Sequence, residues 1–314
     1  MQNRRVSQGI LLVALGAALW GTDAIFRRGL AIELPATTLV FLEHLVLVAI
    51  TAPVLWRARS ELTRLNRVDW LAALVVGAGS SALATVMFTA SFRYGDPTTP
   101  LLLQKVQPLV AVAAARLLLG ERLVPRYAWF LLSGLAGAYL VAFSDPTTVS
   151  ISALTPAMLA VGAAILWGLG TVLGRHLTSK LSFSTVTALR FAIALPALAL
   201  VVGMGSADTG LLAIDGNDVL AVVLLALVPG LAALTLYYRG LRSTPASAAT
   251  LAELSFPLSA IGLNYLVFGT AVSSTQWLGV ALLAATITTM TWLSHRGKET
   301  AIGIRLDQPV LSKS

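Results

Sequence analysis

The sequence predicts an all-α polytopic membrane protein with ten transmembrane helices, arranged as two inverted five-helix repeats around a central cavity. Three observations carry that prediction: continuous apolar runs of spanning length, a one-sided distribution of basic residues, and a duplication with an odd number of spans per copy. Of 314 residues, 57% are apolar and only 11% charged, and the mean hydropathy is +0.82. Soluble domains carry about 25% charged residues, so this chain has too few to cover a water-facing surface. That excludes a globular enzyme, a disordered chain and, despite a net charge of +8, a nucleic-acid binder. A membrane barrel is excluded too, because its strands alternate apolar and polar residues. Here the apolar runs are unbroken and close to the ~20 residues that a spanning helix needs.

Ten runs fit: Gly9–Phe26, Ala36–Trp56, Trp70–Phe92, Thr98–Leu119, Tyr127–Phe143, Leu154–Leu173, Phe183–Met204, Asn217–Tyr238, Ala246–Phe268 and Thr275–Leu293. Lys105 interrupts the fourth and Glu253 the ninth. The connections are short and leave no extramembrane domain. Arg4 and Arg5 before the first run resemble a signal peptide, but an internal segment repeats its motif, so the run is read as a span.

With the N-terminus inside, sixteen Lys and Arg fall in inside segments and three (Arg27, Arg28 and Arg93) outside. By the positive-inside rule both termini are cytoplasmic, in an inner membrane of bacterial type, and the bias supports an even span count. Residues 295–314 read as a flexible cytoplasmic tail.

The duplication follows from matched segments. Leu19-Trp20-Gly21 recurs as Leu166-Trp167-Gly168, and Gln107-Pro108-Leu109-Val110-Ala111 aligns with Phe256-Pro257-Leu258-Ser259-Ala260. Gly120 aligns with Gly269 and Phe92-Arg93 with Tyr238-Arg239, all at nearly one offset. The repeats are therefore residues 1–146 and 147–294. Five spans per copy turn the second copy upside down, a plan common in secondary transporters, whose binding site lies near the midplane between the copies.

On these residues, together with Gly120-Glu121 closing the fourth span, the chain from about Gly9 to Leu293 resembles the EamA-type family of the drug/metabolite transporter superfamily. The resemblance implies a cavity lined by helices one to four and six to nine, peripheral fifth and tenth helices, and export of amino acids or other metabolites without ATP. Gly269-Thr270 departs from Gly120-Glu121, so the acid at that helix end is present in one copy only.

No cysteine occurs, and His44, His176 and His295 stand far apart. No H-x-x-x-H, G-x-x-x-x-G-K-[ST] or G-x-S-x-G motif is present, so no metal, cofactor or catalytic centre is expected. Candidate functional residues are instead the ionisable groups within spans, each costly in lipid and normally turned to the bundle interior. Arg116 can snorkel from near its helix end. Asp23 is either a wetted group or the i,i+4 partner of Arg27. Glu43 and Lys105 lie about 10 Å from the outer end of their spans at 1.5 Å per residue, which permits an ion pair or two poles of a binding site. Arg190 and Glu253 lie at similar depth from the inner face. These pairs can be structural locks, gates that break during cycling, or ligand contacts.

Balanced buried charges favour a small zwitterion such as an amino acid, which needs partners of both signs. Proton coupling through Glu43, His44 or Glu253 fits the same set. Trp20 and Trp167 read as interfacial anchors or as cavity walls. Pro108 and Pro257, inside the fourth and ninth helices, should free the carbonyls of Gln104 and Glu253 and kink helices that swing or merely pack. Gly170-x-x-x-Gly174 and Ser133-Gly134-x-x-Gly137 allow close helix contact. The expected activity is a secondary amino-acid transporter, proton-coupled or facilitative. Alternatives are a drug or nucleotide-sugar carrier of the same fold, or a non-transporting scaffold; a membrane enzyme would need a clustered acid/base set that is missing.

Overall fold

The computed structural model describes residues 2–91, 102–123, 125–149, 151, 154–204, 214–269, 271–295 and 304–306. The start of the fourth expected span, Arg93, Thr270 and most of the tail lie outside them. Besides the short turn Arg59–Leu62, the helices of the described residues are α1 (Gln2–Trp20), α2 (Asp23–Glu33), α3 (Ala36–Arg57), α4 (Arg67–Ser91), α5 (Gln107–Leu118), α6 (Pro125–Ala142), α7 (Leu154–Thr178), α8 (Phe183–Gly203), α9 (Gly216–Leu241), α10 (Ala246–Ala252), α11 (Ser255–Phe268) and α12 (Ser274–His295).

Eight helical segments are long and apolar enough to cross a membrane: Val6–Arg27, Ala36–Arg57, Arg67–Ser91, Leu154–Thr178, Phe183–Gly203, Gly216–Leu241, Ala246–Phe268 and Ser274–Leu293. The fourth and fifth expected spans appear as α5 and α6. Of the fourth, α5 contributes only 12 residues, preceded by the 3₁₀ turn Gln104–Val106.

Glycine, alanine and serine at the contacts let helices approach closely, which matters in lipid because hydrophobic burial does not drive helices together there. The main packings join the two halves of the chain: α1 with α9, α4 with α7, α3 with α8, α1 with α11, α5 with α7, and α6 with α12. α4 and α9 both pass through a π-helical stretch, Val75–Leu83 and Ala226–Ala232. Such widened turns displace the helix register and cluster at functional sites. Gly120 and Gly269 both adopt positive φ, 67° and 64°. Each follows a helix of its own half, and an L side chain there would be strained.

Two expectations change. Pro108 and Pro257 do not sit inside continuous helices: each lies in the first turn of a helix that restarts, α5 or α11, where proline is tolerated. The carbonyls of Gln104 and Glu253 are not freed either. They accept i+3 bonds from the N–H groups of Gln107 and Phe256, as tightened helix turns do. In the tail, Ile304–Leu306 (β2) pairs antiparallel with Glu121–Leu123 (β1), Arg305 opposite Arg122, so these three residues are not free chain.

Candidate functional site

The site begins where the first span breaks. After Trp20 the backbone tightens into a turn, with Gly21 N–H donating to Ala18 O (3.0 Å) and Thr22 N–H to Leu19 O (3.1 Å), before Asp23 opens α2. A Cβ on Gly21 would stand 2.8 Å from the Ala260 nitrogen of α11; one on Gly168 would stand 3.0 Å from the Ala111 nitrogen of α5. Each Trp-Gly motif thus lies against the proline segment of the other half, and only glycine permits that approach.

Beside this break is a cavity of about 370 Å³. The first half supplies Trp20, Gly21, Asp23, Phe88, Gln104, Lys105, Val141 and Ala142; the second supplies Phe256, Pro257, Ala260, Ile261, Asn264, Ala271, Val272 and Gln276. Ala142 ends α6 and Val272 precedes α12, so the cavity lies away from the arginine-rich ends of the helices (Arg57, Arg67, Arg126, Arg175, Arg239). Trp20 packs on Tyr237 with ring centres 5.3 Å apart, and Phe88 meets Trp167 edge-on at 5.1 Å. Trp20 thus lines the cavity, whereas Trp167 does not and packs behind Phe88.

The ionisable residues pair differently from the expectation. Asp23 does pair with Arg27, at 2.6 and 2.8 Å. The same guanidinium reaches Glu43 at 3.0 Å, so Glu43 is joined to Arg27, not to Lys105. The break at Gly21 starts a new helix whose first two turns carry Asp23 and Arg27, and Arg27 then faces α3. Lys105 lines the cavity. Arg190 and Glu253 form no ion pair with each other. Arg190 donates to the Ser81 hydroxyl and to Tyr238 Oη (2.9 Å). Glu253 is buried and accepts from Tyr237 Oη (2.8 Å), Thr171 Oγ1 (2.9 Å) and Gln107 Nε2 (2.9 Å). Four helical segments of both halves meet on this carboxylate, and Tyr237 links it to Trp20 at the cavity wall.

His44 does not line the cavity. It is buried in the α3–α8 contact, its Nδ1 on Val40 O (2.9 Å), its ring edge-on to Phe191 and its Nε2 without a partner.

Sequence reasoning missed the arginine-rich end. Asp69 is buried and caps α4 reciprocally with Asn66. It also accepts from Lys180 Nζ (2.7 and 2.9 Å) and lies 2.7 Å from His176 Nε2. Glu61 accepts from Ser182 N–H (3.0 Å) and Thr185 Oγ1 (3.1 Å). Glu121 caps α10, taking the N–H groups of Ala246 (2.7 Å) and Ser247 (3.1 Å) and the Ser247 hydroxyl. All three acids tie the first half to the second. The Asn66-x-x-Asp69 spacing was a readable capping signal; its partners His176 and Lys180, at and just beyond the end of α7, were not readable.

A duplicated, interlocked helical membrane protein with a polar-edged cavity between its halves has the form of a membrane carrier. The sequence profile of the EamA-like transporter family matches residues 7–143 and again 154–292, and the chain belongs to that family. It is similar to "Riboflavin transporter ImpX" of Fusobacterium nucleatum subsp. nucleatum, 31% identical over 89% of this chain and 96% of that one. A "Riboflavin transporter" of Rhizobium johnstonii is 29% identical over 78% of this chain and 73% of its own. A solved structure titled "Crystal structure of protein" superposes with a TM-score of 0.74 at 21% identity, covering 92% of this chain and 99% of that one; that likeness concerns the fold alone. The chain is accordingly a multi-pass membrane transporter for a small molecule, and family and relatives indicate a transporter rather than an enzyme.

Proposed function

We propose that this transporter moves a planar, polar-edged aromatic metabolite of the riboflavin kind by alternating access, as a uniporter or coupled to protons. The observation that carries the reading is the cavity between the halves: Trp20, Phe88 and Phe256 offer aromatic faces, and Gln104 and Asn264 offer amide edges. A flat heteroaromatic ring needs both. The two riboflavin-transporter relatives point the same way. In this reading α5 and α6 complete ten spans, the halves are inverted repeats, both termini face the cytoplasm across an inner membrane, and the paired packings of the two halves exchange to expose the cavity on either side. Glu253, joined through Tyr237 to Trp20, is the residue through which a proton would couple.

Amino-acid export is the second reading, favoured by the presence of both Asp23 and Lys105 in the cavity wall. Its weakness is that Asp23 is already taken by Arg27, so a substrate ammonium finds no unoccupied carboxylate there.

Purified protein in sealed liposomes tests the choice. Saturable flux of labelled riboflavin, unaffected by excess amino acids, supports the first reading. Saturable amino-acid flux without riboflavin flux supports the second. An imposed pH gradient should change the flux, and Glu253→Gln should remove that dependence; flux indifferent to the gradient in the native protein dismisses proton coupling.

A further inference from the structure

Lys105 differs from the other charges within the expected spans. It lies in the tight turn Gln104–Val106 ahead of α5, its side chain lines the cavity alongside Trp20, Asp23 and Phe256, and it bonds to no described residue. Asp23 and Glu43 share Arg27, a group of two carboxylates and one guanidinium with one net negative charge. Lys105 carries the opposite charge in the same cavity wall as Asp23. An ammonium in a desolvated cavity gains most from an acceptor supplied by the ligand. A dianionic ligand would satisfy Lys105 but add charge beside the Asp23–Arg27–Glu43 group, where like-charge repulsion acts at low dielectric.

We infer that Lys105 is a specificity-determining residue. It donates to ring-carbonyl acceptors of an uncharged planar heteroaromatic substrate held against Trp20 and Phe256, while the neighbouring negative group excludes the phosphate ester of the same molecule. This inference rests on the proposed function, and it names which edge of the substrate is read and which derivative is refused.

Proteoliposomes containing the full chain provide the test, with riboflavin as probe and flavin mononucleotide as competitor. In the native protein, flavin mononucleotide should compete at least about tenfold more weakly than unlabelled riboflavin. Lys105→Met should raise KM for riboflavin about tenfold, the cost of one charge-assisted hydrogen bond, with Vmax retained. Lys105→Arg should keep KM within about twofold of native. If Lys105→Met does not insert, Lys105→Gln should give the raised KM. Unchanged KM with lost Vmax would make Lys105 a gate and overturn the inference, as would equal competition by flavin mononucleotide. Both outcomes leave riboflavin transport standing. Absence of riboflavin flux in the native protein would defeat the carrier reading and the inference with it.

Discussion

Asn66–Asp69 and Asp215–Asp218 are the same device built twice, 149 residues apart. Each opens a helix with a reciprocal capping box, α4 in one half and α9 in the other. Their surroundings differ completely. Asp69 is buried and gripped by His176 and Lys180 of the opposite half. Asp215 and Asp218 lie at the surface and bond only within their own turn among the described residues. The same capping motif thus ties the halves together at the arginine-rich end and is a plain helix start at the other. The cavity lies toward the unlocked end. Under the proposed alternating access, this inequality would be that of a carrier closed at the arginine-rich face.

Substitutions at the two boxes can break this comparison. Asp69→Ala should cost the most, about 3 kcal/mol of stability, because it strips a buried carboxylate from two partners and a helix start, read as a fall in unfolding temperature of the detergent-purified protein. Enlarging Gly168 or Gly21 to Leu should come next, at about 2 kcal/mol of overpacking, with Gly21 losing more flux because it borders the cavity. Asp218→Ala should cost about 1 kcal/mol or less, the loss of a cap alone. Equal losses at Asp69 and Asp218 would remove the distinction between the faces. Lys180→Met should have the smallest effect, under about 1 kcal/mol, because its own side chain is 34% exposed and Asp69 keeps its bonds to His176 and the Asn66 N–H.

Much of this was legible in the sequence for local reasons. Apolar run length predicted the eight helical segments of spanning length, and the matched segments paired Gly120 with Gly269; both take the left-handed conformation. Asp23 and Arg27, one helical turn apart, pair as i,i+4 residues do. The failures were long-range or sub-helical. Depth along a span put Glu43 level with Lys105, but depth ignores azimuth, and the break at Gly21 turned Arg27 toward Glu43. Equal depth likewise failed for Arg190 and Glu253, whose bonds go to neutral hydroxyl and amide groups. The prolines were correctly symmetric, yet the chain resolves their missing donors by restarting the helix rather than by bending it. The π-helical stretches at Val75–Leu83 and Ala226–Ala232 left no periodicity signal, because an extra residue per turn is invisible in uniformly apolar sequence.

Because the chain contains no cysteine, a single introduced thiol reports sidedness without background. The most direct test of the account places that thiol at Ala260 in the cavity wall and treats reconstituted protein with a membrane-impermeant maleimide from either side. Labelling is expected from the face opposite the arginine-rich ends in the resting protein, with a shift toward the arginine-rich face when transported substrate is added or Asp69 is replaced by alanine. Reactivity confined to one face under all three conditions would contradict alternating exposure of a shared cavity.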